Sequence, residues 1–179
     1  MKLKITSGTL RSRQFETPGT ETTHPMGERV RLALFNSLGD ISGQTILDPF
    51  AGSGALSFEA LSRGASHATL IERDRLAQKI IQANAEKLGL TAQTTIINGS
   101  SQTWSAQNPG AQFDLILCDP PYGDVQPEAL AQLATNLKPG GIFVLSHSAD
   151  QTSPDITGLT LTKQSRKNYG GARLAYYHR

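Results

Sequence analysis

The sequence has one cysteine, Cys118, so no disulfide can form within the chain. It has no apolar run long enough for a signal peptide or a membrane span, and its start, Met1-Lys2-Leu3-Lys4-Ile5, already mixes charge with hydrophobes. His24, His67, His147 and His178 show no metal-ligand spacing, and no cysteine cluster accompanies them, so no metal is expected. Internal repeats and low-complexity blocks are also missing. These absences point to a soluble, cytoplasmic protein with no membrane partner, expected as a monomer. At 179 residues the chain fits one domain, able to bury roughly two-thirds of its unfolded surface without staples.

The net charge is only +2, but it is unevenly placed. Lys2, Lys4, Arg11, Arg13, Arg29 and Arg31 crowd the first 31 residues against Glu16, Glu21 and Glu28. From Lys163 onward Arg166, Lys167, Arg173 and Arg179 stand with no acid, and the middle of the chain is net acidic. A fold that brings both ends to one rim would offer a surface for phosphates, whereas solvated charge on two separate segments is the plainer alternative.

Short apolar runs alternate with helical spacing through the centre. Ile46-Leu47 reads as a strand, Ala55 to Arg63 as a helix, and Ala68 to Ile71 as a strand ending at Glu72. Arg75 to Leu88 reads as a helix closed by Gly89, Thr94 to Ile97 and Phe113 to Cys118 as strands, Pro127 to Leu137 as a helix stopped by Pro139-Gly140, and Ile142 to Leu145 as a further strand. Such alternation predicts an α/β, Rossmann-like, mostly parallel doubly wound sheet with helices on both faces, which places ligands at the carboxyl ends of the strands. Leu159 to Gln164 and Arg173 to His178, separated by Tyr169-Gly170-Gly171, predict an antiparallel C-terminal hairpin. Lys2 to Ser7 and Arg13 to Thr17 predict a small N-terminal β-hairpin, followed by a threonine-rich linker and a helix from about Gly27 to Leu38. The organisation expected is a single domain over 1–179, with a basic hairpin and linker over 1–25 and a catalytic core over 26–179.

Two segments carry chemistry. Asp48-Pro49-Phe50-Ala51-Gly52-Ser53-Gly54 lies between a strand and a helix, where glycines let a ligand approach the backbone and the helix amides favour a polar or anionic group. It resembles a dinucleotide fingerprint, but the third glycine position holds Ser57. Glu72, at a strand end, can accept from ribose hydroxyls of any adenosine-containing cofactor. Asp48 either holds the loop or meets a cofactor ammonium. The second segment, Asp119-Pro120-Pro121-Tyr122, closes the strand before it with a turn whose prolines fix the backbone and withhold two donors. Asp119 and the Pro120 carbonyl can each accept an N–H from an exocyclic amine, and Tyr122 can stack on its base. Transfer at carbon would then depend on positioning rather than on a metal or covalent intermediate.

Together Asp48-Pro-Phe-Ala-Gly-Ser-Gly, Glu59-Ala-Leu-Ser-Arg-Gly64, Glu72 and Asp119-Pro-Pro-Tyr122 resemble the class I methyltransferases of the RsmD type. Gly8 with Arg11 and Arg13 resembles that family's first hairpin, Glu28-Arg-Val-Arg-x-Ala-Leu-Phe-Asn36 its first helix, and Tyr169-Gly170 its last hairpin. The resemblance implies a seven-stranded sheet and transfer of methyl from S-adenosylmethionine to guanine N2 in small-subunit (16S) ribosomal RNA, met naked or in the small subunit. It implies cofactor contacts from Asp48, Phe50, Ala51, Gly52, Gly54, Glu72, Arg73, Ser100 and Asp119, catalytic roles for Asp119, Pro120 and Tyr122, and RNA contacts from Arg11, Arg13, Arg29 and Tyr122. This chain departs from the pattern at His24-Pro25-Met26, where Arg-Pro-Thr is usual, at Ser100, where an aspartate is usual, and at Ser12, where glycine is usual. The alternatives are a DNA adenine-N6 methyltransferase, a catalytically idle RNA-binding module and, least, a nicotinamide oxidoreductase. Cys118 reads as a small buried hydrophobe; His147, after the fifth strand near the site, reads as a surface residue ahead of a pocket contact, and Trp104 as packing over the loop ahead of lining an adenine pocket. Arg11 and Arg13, at alternate hairpin positions, are expected to point one way.

Overall fold

A computed structural model describes residues 1–18, 26–121, 126–165 and 171–179. The central sheet is built from β3 (Thr45–Asp48), β4 (His67–Glu72), β5 (Thr94–Asn98), β6 (Phe113–Cys118), β7 (Leu137–Ser148), β8 (Thr160–Gln164) and β9 (Ala172–His178), ordered β5-β4-β3-β6-β7-β9-β8. Strands β3 to β7 pair in parallel, and β9 runs antiparallel to both neighbours. The helices are α1 (Glu28–Leu38), α2 (Ala55–Ser62), α3 (Arg75–Leu88), α4 (Ser101–Gln107) and α5 (Pro127–Ala134). The separate hairpin pairs β1 (Lys2–Lys4) with β2 (Gln14–Glu16).

The central strands are apolar throughout because helices cover both faces of the sheet. From Leu115 onward alternation splits β6: Leu115 and Leu117 join one core with Phe15, Leu34, Phe58 and Leu70, while Ile116 and Cys118 join the other with Leu130, Leu133 and Phe143. Helix α3 follows its cap chemistry. The Asp74 carboxylate accepts the Ala77 amide at 2.7 Å, and Gly89 ends the helix at φ 74°.

Three expectations change. First, α5 ends at Ala134, and Leu137, expected in the helix, opens β7. Buried Asn136 causes the break: its amide donates to Asn108 and Ala111 carbonyls, its side-chain oxygen accepts from Ser105, and its own carbonyl takes the Phe113 amide. Second, α4 is an addition to the expected elements, because Ser101–Gln107 has little apolar periodicity. Third, Arg31, counted among the basic residues of the rim, is fully buried.

Strands β4 and β5 lie to one side of β3, and β7 lies beyond β6 on the other. Chain order reverses between β3 and β6, so the loops leaving their carboxyl ends diverge and open a crevice. Asp48 ends β3 and Asp119 follows β6 at that crevice. Tyr122, His24, Pro25, Arg166, Lys167, Tyr169 and Gly170, singled out from the sequence, lie outside the described residues.

Candidate active site

The loop after β3 is locked by backbone amides. Ala51 donates to the Ile71 carbonyl at 3.1 Å, Gly54 to Ala51 at 2.7 Å, and Gly52 to the Glu72 carboxylate at 2.8 Å. Gly54 sits at φ 77°, and a Cβ there would lie 2.6 Å from the Phe58 ring, so this glycine serves packing. Gly52, at φ 55°, would bring a Cβ no nearer than 4.0 Å to its neighbours, the Phe50 carbonyl oxygen being the closest, which leaves room beside the backbone. Ser57, at the position of the missing third glycine, donates its hydroxyl to Asp48 Oδ2 at 2.8 Å.

Asp48 is buried, and its Oδ1 has no hydrogen-bond partner among the described residues. Burial pushes its carboxyl up to about 7; nearby Asp119 and Glu72 add to the rise, and the Ser57 bond opposes it. A buried carboxylate oxygen without a donor is costly to hold ionised, and a cation placed against it would remove that cost. Glu72 is half-buried. Its two oxygens accept the Gly52 and Asp74 amides at 2.8 Å each, which orients the carboxylate and leaves further lone pairs free for hydroxyls. Ala51 is buried, and Arg73 is exposed. Half-buried Phe50, Ile97 and Trp104 pack against the second core, with Trp104 tilted on Phe113 at 6.2 Å. Ser100 caps α4 by accepting the Thr103 amide at 3.5 Å, so its hydroxyl already has a structural task.

Across the crevice, the half-buried Asp119 carboxyl accepts from the Ser146 hydroxyl of β7, and burial pushes it up to about 6. Pro120 is buried and Pro121 exposed. Burial, with Asp119 and Asp48 nearby, drives the Cys118 thiol well above its ordinary value, which suits the inert role expected. His147 is not a surface residue. It is buried in β7, with Nδ1 against the Ser148 carbonyl and Nε2 against Ser153 Oγ, both at 2.9 Å, and burial lowers its pKa.

The basic hairpin docks differently from the expected alternation. Arg11 lies exposed in the turn between β1 and β2, while the Arg13 guanidinium donates to the Lys87 carbonyl at 3.0 Å, so strand periodicity does not relate them. Arg29 is exposed in the first turn of α1. What holds this region is Glu59, which the sequence offers as part of the run Glu59-Ala-Leu-Ser-Arg-Gly64 but with no role of its own. Its buried carboxylate accepts from the Thr6 amide at 2.8 Å, the Thr6 hydroxyl at 2.6 Å, the Ser7 amide at 3.0 Å, Arg31 at 3.4 Å and Arg63 at 3.0 Å. A signal for it does exist: an acid among Leu56, Phe58, Ala60 and Leu61 in a helix buried on every side needs partners.

Among the described residues no group of three or more His, Cys, Asp or Glu side chains could hold a metal ion, and no helix is long and apolar enough to cross a membrane. A family model described as "Conserved hypothetical protein 95" matches residues 3–178. The chain is 32% identical over 179 residues to ribosomal RNA small subunit methyltransferase D of Haemophilus influenzae, covering 97% of this chain and 93% of that one. It is 37% identical over 122 residues to the protein of the same name from Escherichia coli, covering 68% and 61%. The solved structure of "Putative methyltransferase yhhF from Escherichia coli" superposes with a TM-score of 0.88 at 30% identity, covering all of this chain and 98% of that one.

Proposed function

We propose, from the premise that the chain belongs to the Conserved hypothetical protein 95 family, the RsmD-type methyltransferases, that it methylates guanine N2 in small-subunit ribosomal RNA with S-adenosylmethionine as donor. The observation that carries this reading is the pair of carboxyls at the crevice. Asp48 presents a buried oxygen without a partner on one side, and Asp119 stands after β6 on the other.

The residues fit the donor. Asp48 Oδ1 would take its ammonium, Glu72 its ribose hydroxyls, Phe50 an adenine face, and the open backbone at Gly52 its close approach. When bound, it supplies a methyl carbon activated by sulfonium. All else falls to the chain. Asp119, oriented by Ser146, accepts one N–H of the base amine, and the Pro120 carbonyl accepts the other. These bonds draw the nitrogen lone pair out of the ring and turn it toward the methyl carbon. An amine nitrogen that takes the methyl group must shed a proton. Asp119, ionised at neutral pH with a pKa pushed up to about 6, can receive that proton and release it to solvent.

The testing experiment compares the chain with Asp119→Asn, using labelled methyl donor and, in parallel, small ribosomal subunits lacking the modification and duplex DNA. The variant should lose about a hundredfold or more in turnover, the range for an acid–base group, with donor affinity within about twofold. Near-normal turnover would contradict the assigned role, and label on adenine in duplex DNA would move the reading to the adenine-N6 alternative.

A further inference from the structure

A cavity of about 350 Å³ opens at the carboxyl end of β7, lined by Leu145, His147, Gln151, Thr152 and Pro154. Its size falls at the lower end of the range for small-ligand sites, enough for one nucleobase with part of its sugar. Leu145 pairs with Cys118, the residue before Asp119, so the cavity lies one strand spacing, about 4.8 Å, across the sheet from the Asp119 turn. Alternation along β7 sends Ser146 to the face of the Asp119 carboxyl, and Leu145 and His147 to the opposite face. The carboxyl edge of the sheet therefore carries two places for a ligand group, back to back: the crevice at Asp119 and this cavity behind it. The cavity cannot hold the base that reacts, but it can hold what lies next to that base.

The walls are held in place. The loop after β7 is tied down where the Tyr177 hydroxyl donates to the Pro154 carbonyl and where Ser153 Oγ accepts the Gln164 side-chain amide, both at 2.7 Å. His147 Nδ1 lies 2.9 Å from the Ser148 carbonyl, which can only accept, so Nδ1 carries the proton and Nε2 accepts from Ser153. That tautomer is neutral, in keeping with the pKa that burial lowers, and it gives the cavity a rigid aromatic wall beside apolar Leu145 and Pro154. Gln151 and Thr152 are exposed, and their side chains have no partner among the described residues. Arg173 of β9 pairs with His147 in antiparallel register, so both side chains leave the same face of the sheet. Its guanidinium reaches only the Gln151 carbonyl, at 3.4 Å, and no carboxylate pairs with it among the described residues. Asp150, beside Gln151, accepts from the Ser148 hydroxyl instead. Apolar and aromatic walls with an unneutralised arginine alongside suit a flat ring joined to a phosphate.

Resting on the function proposed above, we propose that this cavity is a subsite for the nucleotide next to the acceptor in the RNA strand, its base against Leu145, Pro154 and the His147 ring and its phosphate on Arg173. An acceptor base that reaches the Asp119 turn has left its stack, so the backbone on each side of it is drawn to the carboxyl edge of the sheet. Toward β3 that edge is taken by the donor residues Asp48, Gly52 and Glu72. Toward β7 the first described feature met is this cavity. A neighbour held there fixes the strand at a second point, behind the sheet edge, without touching the reacting nitrogen.

The test uses uridine 5′-monophosphate, which has no exocyclic amine to offer Asp119, and follows the ring resonances of 15N-labelled His147 with S-adenosylhomocysteine present to fill the donor site. The monophosphate should shift the His147 signals saturably at millimolar concentration. Uridine and inorganic phosphate should each bind at least about tenfold more weakly, the first for want of a charge-assisted hydrogen bond and the second for want of a ring contact. Arg173→Gln should bring the affinity for the monophosphate down to that for uridine, and Thr152→Trp, which fills the cavity from an exposed position, should bring it down to that for inorganic phosphate. With unmodified ribosomal RNA, Arg173→Gln should weaken binding and lower the slope of log affinity against log salt by about one. Signals unmoved by millimolar monophosphate, inorganic phosphate bound as tightly as the monophosphate, or an unchanged salt slope would overturn the proposal. No methyl transfer enters these readouts. Normal methylation of subunits without them refutes the subsite alone, and a bound monophosphate with the altered slope but no methylation refutes the proposed function alone.

Discussion

Asp48 carries a cost that bound donor would remove, and that cost sets the sign of two effects. Its folded pKa of about 7 stands above the ordinary 3.8, so the native protein binds a proton more tightly than the unfolded chain. Stability is therefore lost as pH rises from about 4 to 7, by on the order of 4 kcal/mol from the size of the shift. Asp48→Asn can still accept from Ser57 and removes the charge. The donor-free variant should melt above the wild-type protein at pH 8 and equally at pH 4, while binding the donor at least about tenfold more weakly, the worth of a charge-assisted hydrogen bond. Equal melting at pH 8 would contradict the buried charge. Asp119, pushed up to about 6, must be ionised to accept the amine, so turnover with saturating substrates should fall as pH drops below about 6 and stay level above it. Ser12 offers a third test. It occupies φ 68°, a left-handed backbone that a β-carbon makes costly and that glycine adopts freely. Ser12→Gly should raise stability by about 1 kcal/mol in denaturant unfolding. Of these residues, Asp48, Glu72 and Asp119 were legible in the sequence because each ends an apolar run. The orphaned oxygen of Asp48 was not, since it depends on where Ser57 and Glu72 turn.

At the scale of elements, the N-terminal hairpin is a docked attachment rather than a free arm. Gly8 passes so close to the end of α2 that a Cβ would stand 1.8 Å from the Ser62 carbonyl oxygen, and the Thr9 amide donates to that oxygen at 2.7 Å. Glu59 joins the same hairpin to α1 and α2 through Arg31 and Arg63. Glu59→Gln leaves the buried Arg31 without its counter-charge and should cost about 3 kcal/mol. It should weaken RNA binding more than donor binding, because the elements it releases are those that carry Arg11 and Arg29. Equal loss of both affinities would show a general unfolding instead. The periodic elements were legible because helices with capped ends and strands buried on both faces write their period into the sequence, as α3 and β6 do at both ends. The end of α5 was not, since buried Asn136 stops that helix through partners far along the chain. Arg11 and Arg13 misled for a related reason: a turn, not a strand, separates them.

For the whole molecule, the sheet order decides the function. Placing β3 beside β6 brings the glycine loop and the Asp119 turn to one crevice from positions far apart in the chain, and alternating patterns were enough to foresee it. The cavity beside β7 was not foreseeable, because it is made where the end of that strand meets the loop that follows it. The basic surface is now a specific set: Arg31 leaves it for the core, while Arg11, Arg29 and Arg173 remain accessible. Replacing Arg11 and Arg13 together with alanine should weaken RNA binding and reduce the slope of log affinity against log salt by about one to two, roughly one for each phosphate no longer neutralised. An unchanged slope would remove the hairpin from the interface.

The central claim is methyl transfer to guanine N2 at the Asp119 turn. It is tested most directly by incubating the protein and Asp119→Asn with labelled S-adenosylmethionine and unmodified small ribosomal subunits, naked ribosomal RNA or duplex DNA, and identifying the labelled base. The account predicts label on N2 of a guanine in the ribosomal RNA with the wild-type protein, and its loss in the variant. Label on another base, or undiminished transfer by the variant, would contradict it.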